Sequence, residues 1–132
     1  MKKCLFCKII SNQAPSHKLW EDKDFLAFLD INPVNTGHTL LIPKKHIDDI
    51  LDLEEPRYSN IFKTAKKLAK IIRIAMKSKR IGIGIEGLSV PHLHVHLIPV
   101  NKINDFDPNR AKKATQEELL EVAEKIKQKM NI

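Results

Sequence analysis

From Val90 to Pro99 the chain reads "VPHLHVHLIP", in which Leu93, Val95 and Leu97 alternate with His92, His94 and His96. On a strand, this alternation sends the apolar side chains to one face and the three imidazoles to the other. A similar period marks "HKLWEDKDFLAFLD" as a hairpin, with a strand around 17–21, a turn at 22–24 and a strand over Phe25–Leu29. After the turn-rich link "DINPVNTG", "GHTLLIPKKH" predicts a third strand at 39–42 that stops at Pro43. "IGIGIE" alternates Ile81, Ile83 and Ile85 with Gly82 and Gly84, which suits a strand whose second face must leave room. Beyond Pro56 the period lengthens. Ile61, Ala65, Leu68, Ile72 and Met76 make one apolar helical face opposite Lys63, Lys66, Lys67 and Lys70. A second helix opens on a capping box of Thr115 and Glu118 and carries Leu119, Val122, Ala123, Ile126 and Met130 on one side. Gly82, Gly84 and Gly87 match G-x-G-x-x-G, but a proline and alternating residues follow where a dinucleotide motif needs a helix.

The 132 residues fit one domain with a core that needs no disulfide, and no internal repeat or low-complexity tract divides them. No apolar run approaches the roughly 18 residues that would cross a bilayer. The N-terminal "MKKCLFCKIISNQAPS" starts on two lysines like a leader, but Lys8 breaks its apolar stretch, so the expected location is cytoplasmic. Net charge is +7. Most lysines fall in "KTAKKLAK", "MKSKR", "RAKK" and "EKIKQKM", which read as solvated helix and loop faces. Aromatics make up only 5% and do not interleave with the basic runs, so nucleic-acid binding is not the expected function. Both cysteines lie in "CLFC", Cys4 and Cys7; in a reducing compartment that spacing points to metal or redox chemistry.

A row of imidazoles is costly to bury without partners, so the row calls for a chemical use. It could hold a metal, or one ring could be a nucleophile. Along a strand, residues two apart are separated by about 6.6 Å and residues four apart by about 13 Å. Ligand bonds of about 2 Å let two neighbouring rings share an ion but not all three, so the row must divide its labour. Neutral imidazole attacks phosphorus well near physiological pH. His94, in the middle, is best placed to do so, and a carbonyl on its Nδ1 would aim Nε2 at a substrate.

"HLHVHLIP" resembles the H-x-H-x-H motif of the histidine triad (HIT) superfamily of nucleotide hydrolases and transferases. The likeness extends through "CLFCKIISNQAPSHKLWEDKDFLAFLDINPVNTGHTLLIPKKHI", while the segment after Val100 lacks clear markers. The resemblance implies an α+β fold: an antiparallel sheet of about five strands with a long central helix and a C-terminal helix. It implies one HIT domain over 1–132, with a core at about 4–100 and an extension beyond, pairing as a homodimer. It implies a nucleotidyl-His94 intermediate formed from a nucleoside phosphoramidate or related phosphoanhydride, then released by water as a nucleoside monophosphate. A purine nucleoside phosphate is the expected substrate, with no membrane partner. Dinucleoside polyphosphate hydrolysis, or nucleotide binding with vestigial catalysis, remains the alternative.

On the same resemblance, His96 contacts the phosphate and the leaving group, and Ser89 contacts a phosphoryl oxygen. Asp30 binds ribose hydroxyls, or else caps a turn; Leu5, Phe6, Ile9, Phe28, Leu29 and Ile31 form the base slot, or in part plain core. His38 matches a histidine near the active site, either touching substrate or buttressing His94. Zinc-carrying relatives add His46 and His92 to the two cysteines, which implies a structural zinc on Cys4, Cys7, His46 and His92. The chain departs from the family pattern in three places. It has no Asn or Gln between Ile81 and Pro91, Leu88 stands where Gln often follows glycine, and Val100 stands where arginine is common.

Overall fold

The computed structural model describes residues 4–130. The two leading lysines of the N-terminus and the outermost domain bounds, 1–3 and 131–132, lie outside the described residues. Every residue of "FLAFL" is buried, which requires a strand covered on both faces. That strand, β2 (Phe25–Leu29), pairs antiparallel with β1 (Lys18–Glu21) and with β3 (Thr39–Pro43). β5 (Val95–Val100) lies beside β3, and β4 (Arg80–Gly84) closes the far edge. The result is a five-stranded antiparallel sheet in the order β1-β2-β3-β5-β4. Among the described residues, three α-helices complete an α+β fold: α1 (Leu5–Ile10), the long α2 (Arg57–Met76) and the C-terminal α3 (Gln116–Met130).

Strand alternation divides the interior in two. Phe25, Ala27, Leu29, Leu41, Val95 and Leu97 join Ile61, Ala65, Leu68 and Ile72 of α2 and Leu119, Ala123 and Ile126 of α3 in the main core. The lysines opposite that face of α2 are exposed, and Met76 is only partly buried. On the other face, Leu26, Phe28, Leu40 and Ile42 pack against Phe6 and Ile9 of α1. The capping box at α3 forms reciprocally, with Thr115 N–H on Glu118 and Glu118 N–H on Thr115, both at 3.1 Å.

The structure corrects one sequence expectation, that all three histidines lie on a strand, and adds two features that period did not show. First, α1 is a helix that hydrophobic period does not reveal, because six residues are too few to show one. Its N-cap is Cys4, whose Sγ accepts from the Cys7 N–H at 3.4 Å. Second, β5 begins at Val95, so His96 alone of the three histidines lies in it. Pairing with β3 ends at Leu41–Val95, and Pro43 has no N–H to extend a ladder. The preceding segment is fixed instead by Leu93 N–H on the Ile47 carbonyl, at 2.7 Å. Alternation nonetheless persists, since Leu93, Val95 and Leu97 all reach the main core. Third, the room left by Gly82 and Gly84 is taken by Phe106 from the C-terminal segment. A Cβ at Gly82 would come within 2.5 Å of the Phe106 ring.

Candidate active site and metal cluster

His92, His94 and His38 are buried, and His96 is partly exposed. The hydrogen bonds of the four rings fix how each holds its proton. A carbonyl can only accept, so the 2.7 Å contact between His94 Nδ1 and the His92 carbonyl places the proton of the neutral ring on Nδ1. The lone pair is then at Nε2. His38 Nδ1 accepts from the Val34 N–H at 3.0 Å, so its proton sits on Nε2 and is donated to His96 Nδ1, 2.9 Å away. His96 therefore carries its proton on Nε2. His38 thus engages His96 directly. Burial, with the neighbouring imidazoles adding to it, pushes His38 down to about 3; burial also lowers His96. The outcome is a pair at 5.0 Å between ring centroids, one offering a lone pair and the other a proton.

Both rings line a cavity of about 730 Å³, within the usual range for a small-molecule site. Leu5, Phe6, Ile9, Phe28, Leu29, Asp30, Ile31 and Ser89 line it as well, together with His38. α1 supplies Leu5, Phe6 and Ile9, and β2 supplies Phe28 and Leu29. Phe6 stands edge-on to Phe28 at 5.4 Å and to His94 at 5.2 Å, so the apolar end of the cavity adjoins the His94 ring. Asp30 Oδ1 accepts from the Asn32 N–H, which makes the turn, while Oδ2 lies 3.6 Å from His38 Nε2. Burial raises the Asp30 carboxyl, and the Asn32 N–H and His94 draw it back.

Among the lining residues that sequence reasoning did not assign to the site are Glu86 and Phe106. Phe106 left one signal, the paired glycines of β4 that make room for its ring. Its segment is tied down by Asn35, whose Nδ2 donates at 2.8 Å to the carbonyls of both Pro99 and Asp105. Asp105 is buried and accepts from the Asn101 and Lys102 N–H groups at 2.8 and 3.1 Å.

On the other side of His94, Cys4, Cys7, His46 and His92 bring four ligand atoms within 4.8 Å of one another. His92 Nε2 donates to the Pro43 carbonyl at 2.8 Å, which leaves Nδ1 unprotonated toward the sulfurs. Tetrahedral zinc with Zn–S near 2.3 Å and Zn–N near 2.0 Å sets sulfur–nitrogen edges of about 3.5 Å. The Nδ1–Sγ separations are 3.5 Å (His92–Cys4), 3.6 Å (His92–Cys7) and 3.3 Å (His46–Cys7). These residues fit zinc in atom type, tautomer and spacing. Burial raises the Cys7 thiol, with Cys4 adding to it, so metal binding here would release protons.

The fold, the triad and the cavity define a histidine triad protein, and residues 11–103 match the HIT domain family. The chain belongs to that family. It is 41% identical over 97 residues to the adenosine 5'-monophosphoramidase HNT1 of Saccharomyces cerevisiae, covering 73% of this chain and 61% of the yeast protein. A Hit-like protein from Bartonella henselae, crystallised with an unknown ligand, superposes with a TM-score of 0.88 at 34% identity, covering 98% and 97% of the two chains. A zinc-bound histidine triad family protein from Mycobacterium smegmatis gives 0.83 at 27% identity, covering 98% and 94%.

Proposed function

We propose that this chain is a nucleotide hydrolase that cleaves nucleoside phosphoramidates, or related nucleoside phosphoanhydrides, through a covalent nucleotidyl-His94 intermediate. The observation that carries the reading is the 2.7 Å bond from His94 Nδ1–H to the His92 carbonyl, which leaves Nε2 as the free lone pair of a ring lining the cavity. The base occupies the slot formed by Leu5, Phe6, Ile9, Phe28, Leu29 and Ile31, and the ribose hydroxyls meet Asp30. Ser89, exposed at the rim, donates to a phosphoryl oxygen.

The Nε2 pair of His94 forms the bond to phosphorus while the bond to the leaving nitrogen breaks. That nitrogen departs as the amine, keeping the proton it took from solvent. His96 shares its Nε2 proton with the phosphoryl oxygens and the leaving atom, and His38 holds it in that tautomer. Water then adds to phosphorus and the bond to His94 breaks, its pair returning to Nε2. One water proton stays on the released nucleoside monophosphate and the other goes to solvent.

The reading includes a structural zinc on Cys4, Cys7, His46 and His92, which would cross-link three segments of chain without entering the chemistry. It also includes one HIT domain over 1–132, whose C-terminal extension shares the core through α3, and a homodimer. A cytoplasmic location, where both thiols stay reduced, is open to cell fractionation. Among the described residues, no helix is long and apolar enough to cross a membrane.

The test is a quenched reaction with adenosine 5'-phosphoramidate, read by adenosine monophosphate release and by intact-protein mass. The wild-type chain should show a transient adenylyl adduct, and His94→Ala should lose turnover by roughly a thousandfold or more while staying folded. Equal turnover by the two proteins would reject the mechanism.

A further inference from the structure

Register across the sheet lays the cavity out in a line. Phe28 of β2 stands opposite Leu40 of β3, Leu40 opposite His96 of β5, and His96 opposite Gly84 of β4. With the base at the Phe28 end and phosphorus at the histidines, the leaving group extends past His96 toward β4. Two side chains meet it there. The Phe106 ring lies over Gly82 and Gly84, where Cβ atoms would come within 2.5 and 2.9 Å of it. Glu86 brings a carboxylate oxygen within 4.8 Å of ring nitrogens of His94 and His96. Its Oε1 is anchored by the Leu88 N–H at 3.1 Å. The charge balance of the cavity is opposite to that of the chain. The whole protein has 23 Lys and Arg and a net charge of +7, yet among the described residues neither type lines the cavity, where Asp30 and Glu86 are the charged side chains.

We propose that Glu86 and Phe106 form a leaving-group subsite that selects nucleoside phosphoramidates of a cationic amine and disfavours polyphosphate leaving groups. The proposal rests on the hydrolase reading above and narrows it. A departing polyphosphate is a multiple anion and would meet the Glu86 carboxylate, with no lysine or arginine among the described lining residues to offset it. An ammonium on the leaving amine gains Coulomb attraction from Glu86 and can rest against the Phe106 ring. The sequence departure points the same way, since the loop before the triad carries an acid and lacks the Asn or Gln that would favour an anion.

The test uses adenosine phosphoramidates that differ only at the far end of the leaving amine, which carries an ammonium, a methyl or a carboxylate group. Wild type should favour the ammonium over the carboxylate compound by about tenfold in kcat/KM, the size expected for one nearby charge in a solvated site. Glu86→Gln should bring that ratio close to one, and Glu86→Lys should invert it. Raising salt from about 0.01 M to about 1 M, which shortens screening from roughly 30 Å to roughly 3 Å, should shrink the wild-type ratio. The salt arm needs no variant, so it decides the matter even if the substituted chains are inactive. A wild-type ratio near one, or a preference untouched by salt and by Glu86→Gln, overturns the subsite. Failure of wild type to turn over all three compounds overturns the hydrolase reading itself.

Discussion

His38 shows how a single buried ring can set the state of another. Its ordinary pKa near 6.5 falls to about 3 in the fold, chiefly because burial penalises the imidazolium. The unfolded chain takes up a proton as pH drops through 6.5, and the folded chain resists doing so until about 3. This contribution to stability is therefore intact above 6.5 and is lost progressively as pH falls through that window. Urea midpoints measured at about pH 7 and about pH 5 should differ, with a slope from this one group of at most about 1.4 kcal/mol per pH unit. His38→Asn should flatten the dependence; an unchanged slope would mean the ring already carries its proton in the fold. The three aligned histidines were legible because alternation needs no long-range information. The bond from His38 to His96 was not legible, because 58 residues separate the rings and only the pairing of β3 with β5 brings their segments together.

At the scale of elements, the proposed zinc is a matter of convergence. Cys4 and Cys7 sit at the start of α1, His46 lies just after β3, and His92 precedes β5. Each segment is short, and α1 alone is far below the length at which an isolated helix is stable. Protein purified from zinc-supplemented cells should carry about one zinc per chain by atomic emission, and Cys4→Ser should lose it. Chelation should lower the thermal midpoint by several degrees while leaving turnover intact below that midpoint. Prompt loss of turnover in a still-folded protein would instead place a metal in the chemistry. Strands and the two long helices could be read from period because their burial is one-sided or complete over many residues. α1 could not, and neither could the placement of Phe106, since its segment is held by Asn35 and Asp105 and not by any apolar repeat.

For the whole molecule, the two sheet edges are not equivalent. β1, "KLWE", ends on the charged Lys18 and Glu21, a common guard against strand pairing. β4, "RIGIG", carries Gly82 and Gly84 on one face, and among the described residues it has a strand neighbour on one side only. On its other face Ile81 packs against the core, but Ile83 is 47% exposed. α2 adds half-exposed Tyr58 and Phe62, stacked edge-on at 5.4 Å. These features support a homodimer joined along the β4 edges into one continuous sheet, with the α2 helices alongside. Because Gly84 pairs with His96, that junction would lie one strand away from the catalytic pair and brace it. Sedimentation equilibrium at micromolar concentration should return twice the chain mass. Ile83→Lys should return a monomer with lower turnover, since a buried lysine at the junction costs far more than an exposed one. A wild-type monomer that hydrolyses phosphoramidates at full rate would show that each chain holds its histidines in place unaided.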